Sequence, residues 1–243
     1  MTEKLTFLAG EVASDYSFSV SRLKSIDFWV TLMMLFSALW VRMYIHAIGQ
    51  YYFLQIMGQK VYELQPYFTY VSLQYGTDTA SIYIQGAMFV AGTLAVLAAF
   101  LGLCVLGRLL RLLTGQIPDT VSRFILALGI SAILDPYITV LADVGRDNWE
   151  GDAFRMYIYY LERGDNAGMS GILITGAMAL VLNAMCLFCL YNYLITIHFN
   201  GRMLDLYQRL TGDEANFFVP HDMEISLRVL SYVLNTAKRS VIL

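Results

Sequence analysis

The sequence predicts an all-α integral membrane protein, with four transmembrane helices and amphipathic helices at the membrane surface. Three observations carry this. Of 243 residues, 58% are apolar and only 14% charged, against about 25% charged in an ordinary soluble domain; the mean hydropathy is +0.56. Four stretches are long and apolar enough to supply the roughly 20 helical residues that cross about 30 Å of hydrocarbon. None of them alternates with period two, as the strands of a membrane barrel do, and a helix satisfies its own backbone hydrogen bonds in lipid.

The first 27 residues form an N-terminal interfacial segment, where Tyr16, Phe18, Val20 and Leu23 suit a helix lying at the membrane surface. Glu3, Glu11, Asp15 and Asp27, with no long apolar core between them, argue against a cleavable signal or transit sequence. The first span then serves as its own signal anchor. The transmembrane domain covers 28–199, with spans at about 28–53, 82–106, 124–144 and 170–197. The third is the weakest, because Asp135-Pro136 interrupts it; proline removes a backbone donor and kinks a helix.

The link after span one holds Tyr62, Tyr67, Phe68, Tyr70 and Tyr75, which with Tyr51 and Tyr52 read as an interfacial aromatic belt. A protein-binding surface is the alternative, since tyrosine is favoured at interfaces. Between spans three and four, Phe154, Tyr157, Ile158 and Leu161 make a helical face, with Asp152 placed to cap its start and Gly164 its end. The acids around it favour a helix on the membrane surface over a re-entrant one. Residues 200–243 form a C-terminal tail, in which Met223, Leu227, Leu230, Leu234, Ala237 and Val241 recur at helical spacing. Asp222 suits its N-cap, and Lys238 and Arg239 suit its last turn. Leu227, Leu230 and Leu234 are the candidate partner contacts on this face.

Basic residues orient the bundle. The link between spans two and three carries Arg108, Arg111 and Arg123, and the tail carries Arg202, Arg209, Arg228, Lys238 and Arg239. The link after span one has only Lys60, and the link after span three sets three arginines against six acids. Both termini and the 107–123 link therefore fall on the positive, cytoplasm- or matrix-like side. Arg108 and Arg111 are read as part of this signal rather than as a voltage sensor.

Polar residues at membrane depth are the candidates for function, because each ionisable group there costs about 2.5–3.5 kcal/mol on insertion scales. Counted from the positive side, Arg42 in span one and Asp135 in span three lie at similar depths, and the matching level in spans two and four falls near Thr93 and Asn183. His46 is one turn further along the Arg42 face, and Gln85 sits at a comparable outer depth. Three readings are open for this layer. It is a proton or ion pathway with His46 as its titrating group. It is a buried Arg42–Asp135 pair that fixes the bundle, aided by Asn183. Or each residue faces a neighbouring subunit. Ala91, Ala95 and Ala99 recur at i, i+4 and i+8 beside Gly92 and Gly102, and such small residues let a helix approach closely. Gly176 and Ala177 offer the same in span four.

Other chemistry finds less support. A net charge of −3 gives no case for nucleic-acid binding. Cys104, Cys186 and Cys189 are odd in number and sit in apolar runs, so the CxxC at 186–189 reads as packing. Gly168-Met169-Ser170-Gly171 matches GxSG but lacks an accompanying base and oxyanion-hole signature. His46 and His198 lie at opposite ends of their spans and cannot bracket one haem. No phosphate loop, dinucleotide fingerprint, metalloprotease helix or calcium loop is present, so no cofactor or metal is expected. The expected function is a non-catalytic membrane-embedded subunit or scaffold, with the lipid bilayer and other membrane subunits as partners. An ion or proton channel or transporter using Arg42, His46, Asp135 and Asn183 is the alternative, and an intramembrane enzyme comes third.

Overall fold

The computed structural model describes residues 26–76, 81–145, 151–164 and 168–198, together with Phe217, Phe218, Ile225, Ser226 and Leu234. In chain order the elements are α1 (Ile26–Ile56), β1 (Val61–Pro66), β2 (Val71–Tyr75), α2 (Ile82–Thr114), α3 (Asp119–Gly145), α4 (Arg155–Glu162), α5 (Met169–Thr196), β3 (Phe217–Phe218) and β4 (Ile225–Ser226). The N-terminal interfacial segment falls outside the described residues apart from Ile26 and Asp27, which open α1.

The protein is mostly helical, and α1, α2, α3 and α5 are each long and apolar enough to cross a membrane. The shortest, α3 with 27 residues, measures about 40 Å at roughly 1.5 Å per residue. α2 stops at Gly115, whose φ of 83° is left-handed and whose N–H closes on Arg111 O; glycine takes this conformation without steric cost. Asp135-Pro136 does not interrupt the third span. α3 runs unbroken through Pro136, and the carbonyl of Asp135 is held by Arg42 Nη2 at 2.9 Å and Thr139 Oγ1 at 3.0 Å.

The expectation of an all-α protein is corrected in the link after α1. β1 and β2 form an antiparallel hairpin, with Leu64 opposite Leu73 and a bulge between Val61 and Glu63. Val71-Ser72-Leu73-Gln74-Tyr75 alternates apolar and polar, which suits a pleated strand, and Pro66 ends β1 where no further ladder donor is needed. The hairpin packs against α1. Its tip folds back along α1, where Trp40 Nε1 donates to Phe68 O at 2.9 Å and Tyr44 Oη donates to Tyr67 O at 3.0 Å. Trp40 lies 16 residues before the end of α1, about 24 Å along its axis. The tip therefore reaches the middle of the bundle.

α4 lies across the start of α5. A Cβ on Gly171 would run into the Met156 carbonyl and Tyr157 N, and Gly168 holds φ at +76° beside the Tyr157 ring. The two glycines of the GxSG motif thus serve a turn and a backbone-to-backbone approach. The expected cap of α4 is corrected: Asp152 makes no cap bond, and the residue before the helix is Phe154. The Asp152 carboxylate turns instead to Gln50 on α1. Gly164, at φ +73°, closes on Leu161 O beyond the far end of α4.

α1 and α2 pack closely because Gly49 leaves no room for a Cβ against Ala95 Cβ and Ala91 O. The small-residue stripe therefore meets a helix of its own chain at Ala91 and Ala95, while Ala99 is half-buried further along α2. Gly102 and Gly176 face open space. The main apolar core joins Val96 and Phe100 of α2, Ile125 and Leu128 of α3, and Leu190 and Tyr193 of α5. Cys104, Cys186 and Cys189 are free thiols, the first two buried.

The tail is also corrected. A helix starting at Asp222 is not what forms, because Ile225–Ser226 is extended and pairs with Phe217–Phe218. Leu234 is helical and exposed. Leu227 and Leu230 lie outside the described residues.

Candidate functional site

The site centres on Asp135, which is fully buried in α3 one residue before Pro136. A buried carboxylate needs donors to replace water, and two other helices supply them. From α1, Arg42 Nε donates to Oδ1, and His46 Nδ1 lies 2.9 Å from Oδ2. From α2, Thr93 Oγ1 donates to Oδ2 at 2.5 Å. Arg42 Nη2 also reaches Thr139 Oγ1 at 3.2 Å. Arg42 is 6% exposed and Thr93 not at all. The four residues thus knit α1, α2 and α3 together at one level.

His46 fits there because residue 92 has no side chain: a Cβ on Gly92 would overlap the imidazole. Beyond His46 the network continues to groups outside the polar layer that the sequence predicts. Gln50 Nε2 lies 3.1 Å from His46 Nε2, 2.7 Å from Asp152 Oδ2 and 3.4 Å from Met88 O. The two oxygens can only accept, so the amide nitrogen is the donor on this side of Gln50. The Asp135 carboxylate can only accept, so the N–H at His46 Nδ1 donates to it. Asp152 in turn pairs with Arg155 at 3.4 Å. Arg155 stacks over the ring of Tyr75, whose hydroxyl is buried with no partner among the described residues and pushed up to about 12, mainly by burial.

Asn183 lies at the matching level of α5 but is not joined to Asp135. Its Nδ2 donates to Tyr137 Oη at 2.8 Å, and its Oδ1 has no partner among the described residues. Gln85 is likewise not among the residues joined to Asp135.

A cavity of about 690 Å³ opens beside this network. Its walls are α1 with Trp40, Arg42 and His46, the hairpin tip from Phe68 to Val71, and α3 with Thr139, Ala142 and Asp143. In the other direction the polar character stops. Between Asp135 and the Arg123 end of α3, the buried side chains Val96, Phe100, Ile125, Leu128 and Leu190 form an apolar layer. Ser131 turns its hydroxyl back to Leu128 O.

Below that layer lies a second polar cluster, which sequence reading passed over. Ser122 Oγ is 3.0 Å from His198 Nδ1, and Tyr193 Oη donates to Ser122 O at 2.8 Å. Its only advance signal was a histidine at the end of an apolar span. Burial, together with the nearby Arg123 charge, pushes His198 down from 6.5 to about 4. The unfolded chain therefore binds more protons between those values, and stability falls as pH drops through that window. At about 1.4 kcal/mol per pH unit, the loss amounts to a few kcal/mol. Thermal unfolding in detergent is expected to show a lower Tm at pH 4.5 than at pH 7, with the difference clearly reduced in His198→Gln. An undiminished difference would show that His198 is not its source.

Among the described residues, no group of three or more His, Cys, Asp or Glu side chains is placed to hold a metal ion. Comparison with protein-family models, with curated proteins and with solved structures found no match.

Proposed function

We propose that this chain is a non-catalytic, multi-pass membrane subunit or scaffold, with both termini on its arginine-rich face. The observation that supports this reading is the saturation of Asp135. Its carboxylate is engaged by Arg42, His46 and Thr93 from two other helices, and among the described residues the layer beyond it is apolar. Such an arrangement holds helices in register more readily than it conducts. The outward faces are broadly apolar, with Leu112, Leu113, Leu173, Leu180 and Phe188 exposed, as suits contact with lipid and with neighbouring subunits. Extraction into nanodiscs, followed by mass determination of the intact particle, tests this. The expected result is a particle heavier than the 27.5 kDa chain, with other chains in fixed stoichiometry. A bare monomer would overturn it.

The cavity favours a second reading, an ion or proton channel or transporter using Arg42, His46, Asp135 and Asn183. It brings one side of the bundle into contact with Arg42 and His46. Flux through reconstituted liposomes that loses its pH dependence in His46→Ala would support transport over a scaffold.

A further inference from the structure

We infer, resting on the reading of this chain as a membrane subunit, that the outward face of the hairpin from Tyr62 to Phe68 docks a transmembrane helix of a different subunit. That helix carries an arginine or lysine at the level of Glu63. Trp40, which holds the tip at Phe68 O, is two residues from Arg42, and Arg42 is bonded to Asp135. Asp135 lies ten residues before the end of α3 at Gly145, about 15 Å along its axis. α3 measures about 40 Å for its 27 residues, and the hydrocarbon of a bilayer is about 30 Å thick. With the excess shared between the two ends of α3, the hairpin tip stands about 10 Å inside the outer boundary. Glu63 is four residues back from Tyr67 along the hairpin, about 13 Å at roughly 3.3 Å per residue, and so stands near that boundary.

Lipid does not suit this face. β1 and β2 make a sheet of two strands, so each keeps one edge without a ladder partner, and open sheet edges are not left facing hydrocarbon. The side chains add to the cost. Tyr67 Oη donates to Gln65, and Gln65 Nε2 donates to Glu63, a polar line running inward from the boundary. Water does not suit the face either. Tyr62 is 70% exposed and Phe68 77%, and aromatic side chains are favoured in the cores of protein interfaces. A surface too polar for lipid and too apolar for water is one that another protein covers.

The way β1 is built selects the occupant. Pro66 has no N–H, the ladder bulges between Val61 and Glu63, and Glu63 is charged and exposed. These devices blunt an edge against a further strand, so the partner meets the hairpin with side chains of a helix rather than with a strand. Glu63 sets the charge of that helix. Its carboxylate pairs with no cation among the described residues, and covering it calls for an opposite charge across the interface. Val61–Tyr75 contains no Lys or Arg. A second copy turned about the membrane normal therefore sets one acidic hairpin against another, which makes a different chain the better partner.

Photocrosslinking in native membranes tests this, with p-benzoylphenylalanine in place of Tyr62 or Phe68 in the full chain. Both positions are expected to give an adduct with the same second chain, one that also copurifies at fixed stoichiometry in the nanodisc particle. Its crosslinked peptide is expected to fall in an apolar stretch of about 20 residues that carries or borders an arginine or lysine. Glu63→Lys is expected to lower recovery of that chain about tenfold or more, since like charges across an interface are costly. Changing the partner's basic residue to Glu is expected to restore it. Glu63 is exposed, so the Tm of the Glu63→Lys chain should match the wild type. Adducts with phospholipid alone, adducts with a second copy, a partner peptide without a basic residue, or full recovery of the partner from Glu63→Lys would each overturn the proposal. So would labelling of Phe68→Cys by a charged thiol reagent in intact membranes, above the wild-type background, because it would place water at the tip. If partner chains copurify but neither position crosslinks to them, the docking face is wrong and the subunit reading stands; if none copurifies, both fail.

Discussion

Arg42→Leu is expected to lose most of its folded yield, and Arg42→Leu/Asp135→Leu to recover most of it. The single change leaves the Asp135 carboxylate buried without its strongest counter-charge, retaining only His46 and Thr93. Removing one partner of a buried ion pair costs about 3–5 kcal/mol, whereas replacing both with apolar side chains is often neutral. The carbonyl of Asp135 loses its Arg42 contact in both variants but keeps Thr139 Oγ1 at 3.0 Å, so this term cancels in the comparison. Monodisperse yield on size-exclusion chromatography and Tm in detergent read the outcome. A single variant as stable as the wild type would show that the pair does not hold the bundle. A double variant no better than the single would show that the pair's geometry, rather than its charge balance, is what the fold needs.

Gly92→Ala is expected to have the second-largest effect, and in the direction opposite to ordinary helix propensity. Alanine normally stabilises a helix interior by roughly 0.5–1 kcal/mol over glycine. Here the added methyl would overlap the His46 ring, and the ring cannot withdraw without lengthening its bonds to Asp135 and Gln50. Overpacking of this kind costs about 1–3 kcal/mol. His46→Ala in the same chain clears the space and is expected to recover part of the loss. Gly102→Ala is the matched control in the same helix, because nothing lies within 4 Å of its Cβ position; its Tm should hold or rise slightly. Equal Tm changes at positions 92 and 102 would mean that the contact with His46 carries no weight.

These two variants rest on positions that differ in how visible they are before folding. Arg42 and Asp135 can be matched by counting, because a helix rises by a constant amount per residue and the ends of apolar spans are recognisable to about a turn. Depth is only one coordinate. Asn183 shares the level of Asp135 but points to Tyr137, since direction around the helix axis depends on how the helices pack. Gln50 and Asp152 are 102 residues apart, and no local pattern brings them together. Asp152 reads locally as a helix cap, yet a buried amide donor on α1 engages its carboxylate. The hairpin has a period-two signal in Val71–Tyr75, but it is five residues long, too short to outweigh the aromatic composition that suggests a belt.

What the sequence determines by itself is the set of four long apolar helices, a stripe of small residues on α2 open to close approach, and the levels at which charged groups must be compensated. These follow from composition and from the fixed rise and periodicity of a helix, which are local properties. What only the tertiary structure decides is which polar groups meet. The saturation of Asp135, the fold-back of the hairpin tip onto Trp40 and the apolar layer between the two polar clusters all depend on relative rotation and tilt. Those are set by side chains interlocking across helices distant in the chain, and no single segment contains that information.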